Sequence, residues 1–544
     1  MLLVFFVSFI SLITTSPGIA SSPVSPSANY YFNIQSAQAL VGTDSSFPSQ
    51  GSAVAVSSDG NCLVTGAPKD NNSIGAIWIF ARDPQTSVWS QQGGKLVGTG
   101  YIGQTIFQGS SVAISGDGNT ALSGAVADDD YLGAFWVFVR DKYSDTWSQK
   151  GGKLTPNDYI FSNSGFALGV AIGNSVALSY DGSTAIIGGP NDNYGVGAAW
   201  IFERSPSSGL WYQFQKKLVG TGVNLAGNHV CLQGTAVSLS GDALTAIVGG
   251  SGDDDYTGAV WIFKRNTRTN EFIQDGEKIK SLEGSKYNFF GCSVSINENG
   301  TTALIGSTGF SGYLGAAFVF TRNPFSQAWN EVQILNGTDL SGQVEQGTSV
   351  GLNAHGTKAL IGGGYYDDSL GAAWVFMFDS ETNTWFQVGD RFSMASSSVN
   401  GANFGEAVAL SAHAEIGVIG APKDAQGVTW VFEVPTSAPT TSPSTTPTLS
   451  PVLGCSPGVH ISSLECYSMI EICQKRYRIT MKWNDEICSG NTGDSGCQCD
   501  QYCGYSCPTA CNHDSQCFWN NLVSSCFNKK TNLPGVPIYD CARN

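Results

Sequence analysis

The residues in this chain best suited to chemistry are carboxylates set beside aromatic rings, and they recur. Asp128-Asp129-Asp130-Tyr131, Asp192-Asn193-Tyr194, Asp253-Asp254-Asp255-Tyr256 and Tyr365-Tyr366-Asp367-Asp368 repeat one acidic-aromatic theme, with Asp70-Asn71-Asn72 and Gly312-Tyr313 as weaker versions. Carboxylates beside rings grip sugars, and converging carboxylates supply the oxygens of a divalent cation that bridges to a partner. A plainer use competes, because Asp and Asn favour turns and duplication of a repeat copies its turns. Ligand binding on these loops is the expectation carried forward, with no metal or cofactor assigned to them.

Catalytic sets are harder to find. Histidine occurs only at His229, His355, His413, His460 and His513, and none of these forms a His-x-x-x-His pair. No glycine-rich phosphate loop ending in lysine appears either. The expectation is a protein that is not an enzyme.

The elements that must position the acidic loops follow from an internal repeat. Gly75-Ala76-Ile77-Trp78-Ile79-Phe80 returns at Gly133, Gly197, Gly258, Gly315, Gly371 and, more loosely, as Gly427-Val428-Thr429-Trp430-Val431-Phe432. The leading glycines lie 58, 64, 61, 57, 56 and 56 residues apart, which suits a four-stranded blade. In the second repeat the strands read as Ser111 to Ser115, Thr120 to Gly124, Ala134 to Arg140, and Thr146 to Gln149 leading to Lys153-Leu154, with Gly116-Asp117-Gly118-Asn119 as a tight hairpin turn. If the strands alternate in direction, every acidic loop emerges on one rim. The seventh repeat stops at Val434 without an outer strand, while Phe32 to Thr43 lines up without a gap on the outer strand Val88 to Thr99. The N-terminal strand is therefore expected to complete the last blade and remove the exposed edges. The fold class is all-β: a seven-bladed β-propeller closed by its N-terminal strand, plus a small disulfide-rich C-terminal domain.

These repeats resemble the FG-GAP repeats of the integrin α-chain head. The likeness rests on Phe404-Gly405-Glu406-Ala407-Val408-Ala409-Leu410 with Gly420-Ala421-Pro422, on Phe290-Gly291-Cys292-Ser293-Val294, on Gly66-Ala67-Pro68, and on the Gly-Ala-x-Trp-x-Phe phrase. It covers residues 32 to 434 and implies a seven-bladed propeller with an adhesive role. The family's Asp-x-Asp-x-Asp-Gly calcium loops are not matched. The corresponding turns, Asp59-Gly60, Asp117-Gly118, Asp181-Gly182, Asp242-Ala243, Asn299-Gly300, His355-Gly356 and His413-Ala414, offer one carboxylate at most, so calcium is not expected there. Ser179 to Thr184 also resembles the Asp-box of sialidase propellers, one residue short and without its Trp, which leaves a glycoside hydrolase as a remote alternative.

The ends of the chain point outside the cell. Residues 1–20 read as a signal peptide, residues 32–434 as the propeller, 435–454 as a Pro/Thr/Ser-rich linker and 455–544 as a cysteine-rich module. Of 15 cysteines, 12 lie in that module: Cys455, Cys466, Cys473, Cys488, Cys497, Cys499, Cys503, Cys507, Cys511, Cys517, Cys526 and Cys541. They are expected to form disulfides. Upstream, Cys62 and Cys292 are expected as buried thiols, and a Cys231–Cys292 bridge stays open. Asn71, Asn299 and Asn336 head glycosylation sequons. A net charge of -16, nearly all of it before residue 455, makes nucleic acid and anionic membrane poor partners. No membrane span is expected. An extracellular protein or glycan is the expected partner, with self-assembly into a matrix or coat as a further use and a secreted lectin as the alternative.

Overall fold

The computed structural model describes residues 37–46, 49–161, 169–225, 230–338, 343–365, 370–393, 401–424 and 427–434. The expected signal peptide, the linker and the cysteine module lie outside the described residues, as do Tyr366, Asp367 and Asp368.

Seven antiparallel sheets succeed one another along the chain. The second is typical, with strands Ser111–Ile114, Thr120–Ala125, Ala134–Arg140 and Trp147–Gln149 hydrogen-bonded in chain order. The sixth breaks its outer edge into Thr384–Gln387 and Phe392–Ser393, both pairing with Ala372–Asp379. The last is built as expected from both chain ends: Gln38–Leu40 pairs with Val428–Glu433, with Ala39 opposite Trp430. This is the seven-bladed β-propeller.

The recurrent phrase works through the two-residue period of a strand. In the first blade Trp78 and Phe80 point back into the cluster shared with blade seven, whereas Ile77 and Ile79 point forward into the one shared with blade two. Every seam between neighbouring blades carries such a cluster. Trp78, Trp136, Trp200, Trp261 and Trp374 are fully buried there. Each indole N–H finds an acceptor in the connection arriving from the previous blade. Trp78 donates to Thr43 O at 2.9 Å, Trp136 to Thr99 O at 2.8 Å and Trp261 to Thr221 O at 2.8 Å. Where the second connection reads Thr155-Pro156-Asn157-Asp158 instead of Val-Gly-Thr, the Asp158 side chain takes that place, accepting from Trp200 at 2.8 Å.

The seams also explain two recurrent glycines. A Cβ on Gly66 would overlap the carbonyl oxygen of Gly109 in the next blade, and the same meeting recurs between Gly124 and Gly173, Gly306 and Gly347, and Gly362 and Gly405. Gly420 against Gly51 closes the ring.

Around the axis, the turns joining first and second strands form a second ring of backbone hydrogen bonds. Ser58 N donates to Gly116 O, Asp117 N to Tyr180 O, Tyr180 N to Gly241 O, Asp242 N to Glu298 O, Glu298 N to Ala354 O, Ala354 N to Ala412 O and Ala412 N to Ser58 O, at 2.9–3.4 Å. They border a central cavity of about 310 Å³ lined by the seven inner strands. We call this side the turn face and the opposite side, with the acidic loops, the loop face.

Candidate binding face

Each acidic loop follows the second strand of its blade, and the structure divides its residues by depth. The first Asp is buried. Asp70, Asp128, Asp192 and Asp253 are fully inaccessible, and each lies against a lysine from the outer edge of its own blade: Lys95, Lys153 and Lys217 at 2.6 Å and Lys278 at 2.5 Å. The second carboxylate oxygen accepts a backbone N–H from the connection entering the blade, from Ser46, Ile102 and Asn224 at 2.7 Å and from Ile160 at 2.6 Å. Burial pushes the Asp192 carboxyl up, against the opposing pull of the Ile160 N–H and Lys217. In blade five the pair changes together. Phe310 stands where the Asp would be, Ile334 occupies the lysine's place beside Leu335, and both pack on the apolar cluster between blades four and five. Asp128, Asp192 and Asp253, expected at a ligand site, are thus placed inside a clamp that holds loop, outer edge and connection together.

The residues after that Asp adopt an uncommon backbone. Asp129, Asp130 and Tyr131 have φ of 52°, 54° and 65°, and Asp254, Asp255 and Tyr256 have 55°, 57° and 63°. Asn193 and Tyr194 follow at 49° and 60°, and Asn71, Asn72 and Ser73 at 51°, 55° and 69°. Asn and Asp tolerate the left-handed region better than other side-chain-bearing residues, so the acidic composition of these loops has a conformational cause. The turn presents its last carbonyl to the connection entering the next blade: Tyr131 O accepts from Val170 N at 2.9 Å and Ala171 N at 3.0 Å. The strain is thereby tied to a seam contact.

What remains on the surface is a mixed rim. Asp130, Tyr131, Tyr194 and Tyr365 are exposed, and Asp129, Asp254, Asp255 and Tyr256 are partly so. Asp254 pairs with Lys280 at 2.7 Å and Asp255 with Lys286 at 2.8 Å. Among the described residues, Asp129 and Asp130 have no ion pair. Asn71, Asn299 and Asn336 are all exposed.

One arc of the loop face joins Tyr256, Tyr313 and Tyr365, expected from the acidic-aromatic loops, to Tyr287, Phe289 and Glu345, which the sequence does not single out. Across blades four and five, Tyr256 stacks on Tyr287 with centroids 6.1 Å apart, Phe289 lies 5.4 Å from Tyr256, and Tyr313 lies 6.5 Å from Phe289. The Tyr313 carbonyl then receives the N–H of Glu345 at 3.0 Å, which leads from the aromatic wall to a pair of acids. Burial pushes the Glu345 carboxyl up, and the charge of Glu406 pushes it further. Burial also raises Glu406, against an Asn403 amide that donates to it at 3.1 Å and the charge of Lys423. Tyr365 is raised by burial and then by both glutamates, and the Lys423 ammonium lies 6.0 Å from its ring centroid. Rings beside protonatable acids can stack on a sugar or an aromatic side chain and hydrogen-bond its hydroxyl groups.

The remaining reactive groups are occupied structurally. Gly347-Thr348-Ser349-Val350-Gly351 fits the letters of a Gly-x-Ser-x-Gly nucleophile elbow, but Ser349 lies on an inner strand and donates to Gly405 O at 2.9 Å. Ser111, Ser175 and Ser293 make the same seam bond in their blades. Cys62, Cys231 and Cys292 are free thiols, so the Cys231–Cys292 bridge left open by the sequence is not formed. Burial raises all three, Cys62 to about 12. Asp59, Asp117, Asp181 and Asp242 accept from the serine two residues earlier at 2.5–2.7 Å, closing their own turns. Among the described residues no group of three or more His, Cys, Asp or Glu side chains is placed to hold a metal ion, and no helix is long and apolar enough to cross a membrane.

No family model matches the chain, and no curated protein matches its sequence. Among solved structures, one that is similar is a candidate 6-phosphogluconolactonase from Bacteroides uniformis, 13% identical with a TM-score of 0.44, the match covering 63% of this chain and 85% of that one. At that identity no residue role passes from one to the other.

Proposed function

We propose that this is a secreted, non-enzymatic adhesion or structural protein whose loop face binds an extracellular protein or glycan. The cysteine-rich module would attach or assemble it. The observation that carries the reading is the arc from the stacked Tyr256 and Tyr287 to the acids Glu345 and Glu406, where aromatic surface adjoins two carboxyls raised by burial. The glycine meetings at the blade seams support kinship with FG-GAP propellers, because Phe290-Gly291 meets Gly249-Gly250, Phe404-Gly405 meets Gly362-Gly363, and Gln50-Gly51 meets Gly420-Ala421. The signal-peptide pattern and the dense cysteines support an extracellular location. A lectin is the second reading, favoured by the stacked tyrosine pair, since flat rings suit sugar faces.

Purified full-length protein is applied to arrays of glycans and of extracellular matrix proteins. Selective retention on either supports the proposal, and on glycans alone the lectin. Retention on neither, together with turnover of a glycoside or ester substrate, contradicts it.

A further inference from the structure

On the turn face, away from the proposed binding arc, blades six and seven break the pattern of their turns. The position held by Asp in blades one to four and by Asn299 in blade five is His355 in blade six and His413 in blade seven. Neither imidazole is needed to close its turn. Asn353 Oδ1 accepts the Thr357 and Lys358 N–H groups at 2.8 and 2.9 Å, and Ser411 Oγ accepts those of Glu415 and Ile416 at 3.2 and 3.1 Å. The two rings meet each other across the blade boundary instead, with His355 Nε2 3.3 Å from His413 Nδ1. Both side chains are exposed.

We propose that His355 and His413 form a two-imidazole site for a borderline divalent ion of the Zn²⁺ class. The two ring nitrogens share a hydrogen bond at 3.3 Å, and two Zn–N bonds of about 2.0–2.1 Å at a tetrahedral angle place nitrogens about 3.3–3.4 Å apart, so an ion replaces the shared proton with little movement of the rings. The backbone holds the two turns side by side before any ion arrives. Ala354 N donates to Ala412 O at 3.0 Å and Ala412 N to Ser58 O at 2.9 Å, so both turns are fixed in the axial ring. Imidazole selects zinc, copper or nickel over calcium, which separates this site from a carboxylate loop. With two protein ligands the remaining positions fall to water or to a donor from outside the chain, as in an open zinc site.

Zinc chloride is titrated calorimetrically into metal-stripped full-length protein and into His355→Asn and His413→Asn. Each substitution installs the residue that blade five already carries at that place, so folding is preserved, and matching melting temperatures without metal verify it. Sites elsewhere in the chain contribute equally to all three proteins. The expected result is one binding event present in the parent and weakened by about tenfold or more in each variant, since even outer-shell partners of a metal cost that much when lost. Indistinguishable isotherms overturn the proposal. So does loss in only one variant, because a chelate needs both rings.

Discussion

Asp128 and Lys153 meet at 2.6 Å inside the second blade, the Asp side chain fully buried and the Lys side chain a fifth exposed, and three other blades repeat the pair with the same spacing in the chain. The pair joins a loop, an outer edge and an inter-blade connection. The loop face is therefore a set of clamped turns with a thinner decorated surface above them.

Removing one member of the clamp leaves a buried charge without its partner. Asp128→Ala is expected to destabilise the propeller by about 2–4 kcal/mol, somewhat below a wholly dry pair because Lys153 reaches solvent. Asp128→Phe with Lys153→Ile, which copies blade five, is expected to recover most of that loss. Urea unfolding of the three proteins checks both statements.

The seam glycines give a packing prediction. Gly66→Ala drives a methyl group onto the Gly109 carbonyl and is expected to cost about 1–3 kcal/mol or more. Gly94→Ala, where a Cβ meets nothing within 4 Å, is expected to be neutral within about 0.5 kcal/mol. Thermal melts of the two variants make the comparison.

Much of this was legible in the sequence. Seven copies of one phrase, their even spacing and the displaced outer strand predict the blade count and a closure by the N-terminal strand, which the structure forms with Ala39 opposite Trp430. For the acidic loops the turn preference of Asp and Asn was legible as the competing use, and the positive φ values favour it for the residues after the first Asp, whereas which carboxylates are buried could not be read before the fold was known. A signal for the clamp was present: an Asp and a Lys keep constant spacing in four blades, and in blade five Phe310 and Ile334 become apolar together. Glu345 and Glu406 were beyond reach, since they stand on separate connections that the packing of neighbouring blades brings within electrostatic reach.

Those two acids predict a pH dependence. Glu406 has an ordinary value of 4.5 and is raised in the fold, first by burial. The folded state then holds its proton at pH values where the unfolded chain has lost it, so stability declines as pH rises from the unfolded value through the folded one and stays lower above. Glu406→Gln is expected to stabilise the protein at neutral pH and to leave it unchanged well below pH 4. Chemical denaturation at a series of pH values reads the difference.

The upstream cysteines give a reactivity prediction. With Cys62 raised to about 12 and Cys231 and Cys292 also raised by burial, none presents a thiolate near neutral pH. Iodoacetamide is expected to leave all three unmodified in the native protein and to label all three in urea, which peptide mass mapping detects.

If the arc on the loop face is the binding surface, the Tyr256→Ala/Tyr287→Ala double variant removes its aromatic half. Tyr287 is exposed and Tyr256 partly so, so the fold is expected to keep its melting temperature. On the glycan or matrix protein that the parent retains, the account predicts loss of binding by about tenfold or more, the size expected when aromatic anchors at the centre of an interface are truncated. Undiminished binding by the folded double variant would contradict it.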